Sequence, residues 1–173
     1  MTERTGDLHE VRILELPLAV QARAQEQHAE LMREFALLAI DGPVARAGHD
    51  VPQRLIQLID DLSTRFGGIG TAADSELAAA ADRGADSVDL VYHVPTSVAD
   101  ACELFSGRLD EADDFCRAGE RLLTLAAAAD LVAFRHWYLG EFTRQVRGAA
   151  PMSWPQYVRE YGVVIATSNL GVG

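Results

Sequence analysis

Residues 121–148 read RLLTLAAAADLVAFRHWYLGEFTRQVRG, and this stretch constrains the fold more than any other. Leu131, Phe134, Tyr138, Phe142 and Val146 recur at intervals of three and four, which puts them on one stripe of a helix from about Asp130 to Arg147. Leu139 falls at one edge of that stripe and Trp137 at the other, while His136, Arg144 and Arg147 fall on the far side. So large an aromatic stripe must be covered by another layer. Leu122 to Leu125 reads as a short strand, so the whole stretch is a strand, a small-residue turn and a helix.

The same plan occurs twice earlier. VRILEL, Val11 to Leu16, alternates like a strand, and Pro17 ends it. A helix from about Ala19 to Ala39 follows, with Val20, Ala24, Gln27, Leu31, Phe35 and Leu38 on one stripe. SVDLVYHV, Ser87 to Val94, alternates most clearly. It turns Val88, Leu90, Tyr92 and Val94 one way and His93 the other. Pro95 ends that strand, and Thr96 or Ser97 caps a helix with Val98, Cys102, Phe105, Leu109, Ala112 and Cys116 on its apolar side.

Between the first two units, Asp41, Gly42, Pro43 and Gly48 mark a loop. Asp50 and Gln53 resemble a capping box for a helix over about Val51 to Phe66, whose stripe is Leu55, Leu58, Ile59, Leu62 and Phe66. Gly67, Gly68, Ile69 and Gly70 stop it, and an alanine-rich helix runs from about Ala72 to Arg83 with Thr71 as cap. The reading is α+β and predominantly helical: about five helices with a small three-stranded sheet, or an all-α bundle in which the strands are extended connectors. One compact domain spans 1–148. Residues 149–173 form a tail that offers Trp154, Tyr157, Tyr161 and Val163 to Ala166 for docking, and residues 1–10 are polar and frayed.

Charge narrows the function classes. Fifteen basic residues against twenty-six acidic ones give −11, which disfavours nucleic acid and anionic membranes as partners. Every basic residue is arginine, so Schiff-base chemistry and a phosphate-binding lysine are excluded. No apolar run is long enough to span a bilayer, and MTERTGDLHE has no apolar signal core. Cys102 and Cys116 lie on one helix about 21 Å apart, beyond disulfide reach, which points to a reduced, cytoplasmic compartment.

Metal and nucleophile signatures are missing from the sequence. Glu26, Glu30 and Glu34 form an i, i+4 row, but no histidine is spaced to join them, so the row reads as a solvated face. His9, His28, His49, His93 and His136 are scattered, with no CxxC, HExxH or GxSxG. Neither a metal nor a cofactor is expected.

The segments LPLAVQARAQEQHAELMREFALLA, EADDFCRAGERLLTLAAAADLVAFRHWYLGEFTRQVRG and APMSW resemble an uncharacterised actinobacterial family associated with sigma-factor partner switching, that is, with anti-sigma and anti-anti-sigma systems. The resemblance covers roughly residues 11–155 and rests on ADDFCRAG, LLTL and WYLGEF. It implies a regulatory role and supplies no catalytic residues. The opening strand and helix also resemble the start of a GHKL-type ATPase. That class needs an asparagine-bearing helix and an Asp-x-Gly-x-Gly loop, whereas the one asparagine here is Asn169 and GGIG has no preceding aspartate.

Three functional expectations follow. The first is a non-enzymatic regulatory protein that binds another protein, a signalling regulator, through Asp110, Glu111 and Asp114 on one helix and His136, Trp137 and Arg144 on the next. Those two helices can also pair through their polar edges. The second is a small-molecule binder or enzyme whose site gathers Asp110, Asp114, His93, His136, Tyr138 and Glu141. The third is a homodimer with the last helix as its interface.

Overall fold

A computed structural model describes residues 7–40, 50–119 and 122–166. The expected loop around Asp41 to Gly48, His49, Asn169 and the first six residues lie outside the described residues.

Strand β1 (Leu8–Pro17) pairs antiparallel with β2 (Ser87–Pro95), Val11 opposite Tyr92 and Ile13 opposite Leu90. Among the described residues six α-helices accompany them: α1 (Leu18–Ile40), α2 (Val51–Phe66), α3 (Thr71–Asp82), α4 (Val98–Ala118), α5 (Ala129–Val146) and α6 (Trp154–Tyr161). The fold is α+β and mostly helical.

β1 keeps its alternation only by breaking its own register. Strict alternation from Val11 and Ile13 would turn Glu15 inward and Leu16 outward. The pairing instead shifts between Ile13 and Leu16, and Glu15 adopts a left-handed φ of 54°. The result buries Leu16 and leaves Glu15 exposed. Asp89 on the opposite strand accepts the Glu15 backbone N–H at 2.7 Å, so the bulge leaves that donor satisfied.

Among the described residues the sheet has two strands, and the third expected at Leu122 to Leu125 is absent. Leu123–Leu125 is instead a single 3₁₀ turn. Its backbone is satisfied locally, Leu122 N–H by Gly119 carbonyl at 3.0 Å and Leu125 N–H by Leu122 carbonyl at 2.9 Å. Leu122 to Leu125 lacks the period-two pattern that would present one apolar face to a sheet, so the short-range turn wins. The count of helices rises from about five to six because residues 154–161 fold as α6. Ser153 caps that helix at its start by accepting the Gln156 N–H, and Gly162 closes it at φ 64°. The other cap readings shift: Asp50 makes no side-chain cap bond and pairs with Arg54 at 3.2 Å, and Gly70 precedes α3.

Burial divides into two clusters. One lies beneath the sheet, where Val11, Ile13, Leu16, Leu90, Tyr92 and Val94 meet Phe134, Trp137, Phe142 and Trp154. The other joins the helices, with Leu31 and Phe35 of α1, Leu55 of α2, and Leu109, Ala112 and Cys116 of α4. Leu38 departs from the expected α1 stripe and is exposed.

Candidate functional site

The helices carrying the predicted polar residues, α4 and α5, pack against each other, and their facing edges join in a ladder of ion pairs. Arg135 lies 2.5 Å from Asp110 and 2.8 Å from Asp113. His136 Nε2 lies 2.9 Å from Asp110 Oδ1. Near the sheet end of the same pair, Arg147 lies 2.9 Å from Glu103 and 3.3 Å from Asp100. The ladder therefore lies within the chain.

Glu111 is held by Arg108 at 2.9 Å, with Arg54 of α2 at 3.9 Å. Asp114 projects into solvent, 83% exposed, with Arg117 at 3.5 Å. Arg144 pairs with Glu141 and donates to the Ala150 carbonyl at 3.3 Å. Asp110, Glu111, Asp114 and His136 thus share one side of the molecule, and Arg144 does not join them.

Trp137 does not belong to an outer face. It is 1% exposed, its ring sits 5.4 Å from that of Trp154, and its indole N–H donates to the Met152 carbonyl at 2.8 Å. The edge of the α5 stripe looks free in sequence because the segment covering it comes from the tail. The apolar stripe of α5 is likewise packed inside the chain.

Of the residues of the enzyme reading, Asp110 and His136 meet, and His93, Tyr138 and Glu141 do not join them. His93 is on the outer face of the sheet, 3.8 Å from Glu10. Tyr138 is beneath the sheet, its hydroxyl 2.8 Å from that of Tyr92. Burial and the neighbouring tyrosine hold the Tyr138 phenol well above its usual range. Glu141 is 1% exposed, and its second oxygen accepts the Met152 N–H at 2.9 Å and the Gln145 amide at 2.8 Å. Burial pushes the Cys102 thiol up to about 12 and that of Cys116 to about 11, so neither supplies a ready thiolate. Among the described residues no three His, Cys, Asp or Glu side chains group as metal ligands.

Sequence reasoning passed over two buried carboxylates. Asp113 is 2% exposed, and its second carboxylate oxygen accepts the Ala127 N–H at 3.1 Å. Arg135 is its partner. Asp130, in the first turn of α5, receives a two-pronged hydrogen bond from Arg23 at 2.7 and 3.2 Å and the Ala166 N–H at 3.1 Å. Burial pushes the Asp130 carboxyl up, but the bonds from Arg23, Ala166 and Leu131 outweigh it and hold it below the usual range. A signal for Asp113 existed. It falls between Leu109 and Cys116 at helical spacing, on the buried side of α4.

No family model matches the chain, and no curated protein or solved structure matches it.

Proposed function

We propose that the protein is a non-enzymatic cytoplasmic recognition module that binds a partner protein through the outer face of α4. What carries this reading is the composition of that face. Asp100, Glu103, Leu104, Gly107, Glu111 and Asp114 are all exposed on one helical stripe. Leu104 stands 49% exposed among carboxylates, and a side chain built on Gly107, one turn along, would meet nothing within 4 Å. A leucine knob beside a notch gives an apolar anchor, and the surrounding carboxylates give steering and register. The complementary surface is basic around an apolar recess.

The words ADDFCRAG and WYLGEF, which suggested sigma-factor partner switching, name the class of partner to try first: an anti-sigma or anti-anti-sigma regulator. No helix among the described residues is long and apolar enough to cross a membrane, in keeping with a partner met in the cytoplasm.

The test places a photo-crosslinking side chain at Leu104 in cells and a control at exposed Val91 on the sheet. The expected result is one discrete adduct from position 104, weakened by salt and abolished by Asp114→Arg. Equal adducts from both positions, or none from position 104, would refute the reading.

A further inference from the structure

A cleft of about 220 Å³ opens on the sheet-side core, with Phe105 of the helical cluster at its border. Leu62 and Phe66 of α2 form one wall, Cys102 and Phe105 of α4 the facing wall, and Tyr92 and Phe142 the base. No charged residue lines it. We propose that this cleft is a binding site for a small, neutral, apolar molecule of about ten non-hydrogen atoms carrying a single hydrogen-bonding group.

Size sets the upper limit. A dry apolar cavity of about 150 Å³ takes benzene, and sites for cofactors and drug-sized ligands start at about 300 Å³. The cleft lies between, which admits a fused bicyclic ring or a medium-chain alcohol and excludes a nucleotide. Charge sets the second limit. An ionised ligand would lose its hydration against side chains that return nothing. The Cys102 thiol, pushed up to about 12 by burial, stays neutral there.

The one polar handle is the tyrosine pair. Two phenols carry two O–H groups, and the bond between Tyr92 and Tyr138 uses one of them. The second has no acceptor among the described residues. Tyr92 belongs to both the pair and the cleft, so a ligand oxygen seated at the base can accept it. A ligand held only by the folded chain should also stabilise the fold. The site lies apart from the acidic face of α4: Val98, Cys102 and Phe105 fall on the side of the helix opposite Asp114, and Ala101 stands at the boundary, one turn before Leu104.

The experiment titrates indole and 1-hexanol into the full chain and follows methyl resonances by NMR. The expected result is saturable shifts at Leu62, Ile69, Val94, Val98 and Ala101, none at Leu31 or Leu55, and a Kd below about 1 mM. Ala101→Phe should fill the cleft and weaken binding of both probes at least tenfold. If that variant does not fold, Leu62→Trp at the half-exposed rim makes the same test. Tyr92→Phe should weaken 1-hexanol several-fold and leave indole, which has no oxygen to accept the tyrosine O–H, unchanged. Absence of saturable shifts at millimolar probe would overturn the proposal, as would shifts that a folded filled variant retains or that spread equally over both clusters.

Discussion

Gln145 closes the outer edge of β1 by mimicking a neighbouring strand at Arg12. Its side-chain oxygen accepts the Arg12 backbone N–H at 2.9 Å, and its amide nitrogen donates to the Arg12 carbonyl at 2.7 Å. A two-stranded sheet has little stability of its own and two edges open to stray pairing. Here α5 supplies the missing partner for one residue. Gln145→Ala should cost about 1–2 kcal/mol, the worth of two modest hydrogen bonds. Gln145→Glu should cost more, because it loses the donor and places a carboxylate against Glu141, whose Oε2 lies 2.8 Å from the amide nitrogen. Urea denaturation of the three proteins checks that order.

Asp113 and Arg135 test whether the buried ladder stabilises the fold or only sets its register. Removing one partner of a buried pair strands the other, so Asp113→Ala should cost about 3 kcal/mol, eased because Arg135 keeps Asp110. The double change Asp113→Leu with Arg135→Met should recover most of that loss, since apolar replacements of similar volume avoid the desolvation penalty. A double variant no more stable than Asp113→Ala would show that the ion pair itself contributes strongly. Equilibrium unfolding measures all three.

What was legible in the sequence follows from which signals are local. SVDLVYHV forms β2 because alternation is complete over eight residues and needs nothing remote to interpret it. The stripes of α4 and α5 were readable for the same reason, and so was the opposite sign of their polar edges. Leu122 to Leu125 misled because three leucines and a threonine are too short a run to carry a usable period. Trp137 misled because its cover, Met152 and Trp154, arrives from a segment that looks like a tail. The β1 bulge has a trace in the sequence, a glutamate where alternation demands an apolar residue, but its cure lies 74 residues away at Asp89. Of the site, Glu111 and Asp114 on the outer face of α4 were readable, whereas Leu104 and Gly107 were passed over, and the cleft was hidden because its walls come from five segments that only the fold brings together.

His28 gives the fold a pH dependence with a definite sign. Burial lowers its pKa, and the positive charge of Arg135 lowers it further. The folded state therefore binds its proton less tightly than the unfolded state. Stability contributed by the neutral ring is fully present above the unfolded value of about 6.5 and is lost as pH falls through the folded one. Asp130, also held below its ordinary value, adds a second loss at more acid pH. Thermal unfolding between pH 7.5 and 5 should show a falling midpoint for the wild type and a flatter profile for His28→Phe, whose ring can keep the edge contact with Phe105, 6.5 Å away between centroids.

Trp154 decides whether α6 is part of the body or an appendage. Its ring meets Phe134 at 5.6 Å and Trp137 at 5.4 Å between centroids, and only 3% of the residue is exposed. Tyr161, about two turns later, is 61% exposed, so the helix docks by its first turn. Trp154→Ala removes a large buried ring and uncovers Trp137, at an expected cost of about 3–5 kcal/mol. Tyr161→Ala should cost under about 1 kcal/mol. Trp137 fluorescence in the Trp154→Phe protein gives the discriminating readout. If α6 unfolds with the body, that signal and helix content lost in urea must share one midpoint. An earlier fluorescence transition would instead mark α6 as a separately opening segment.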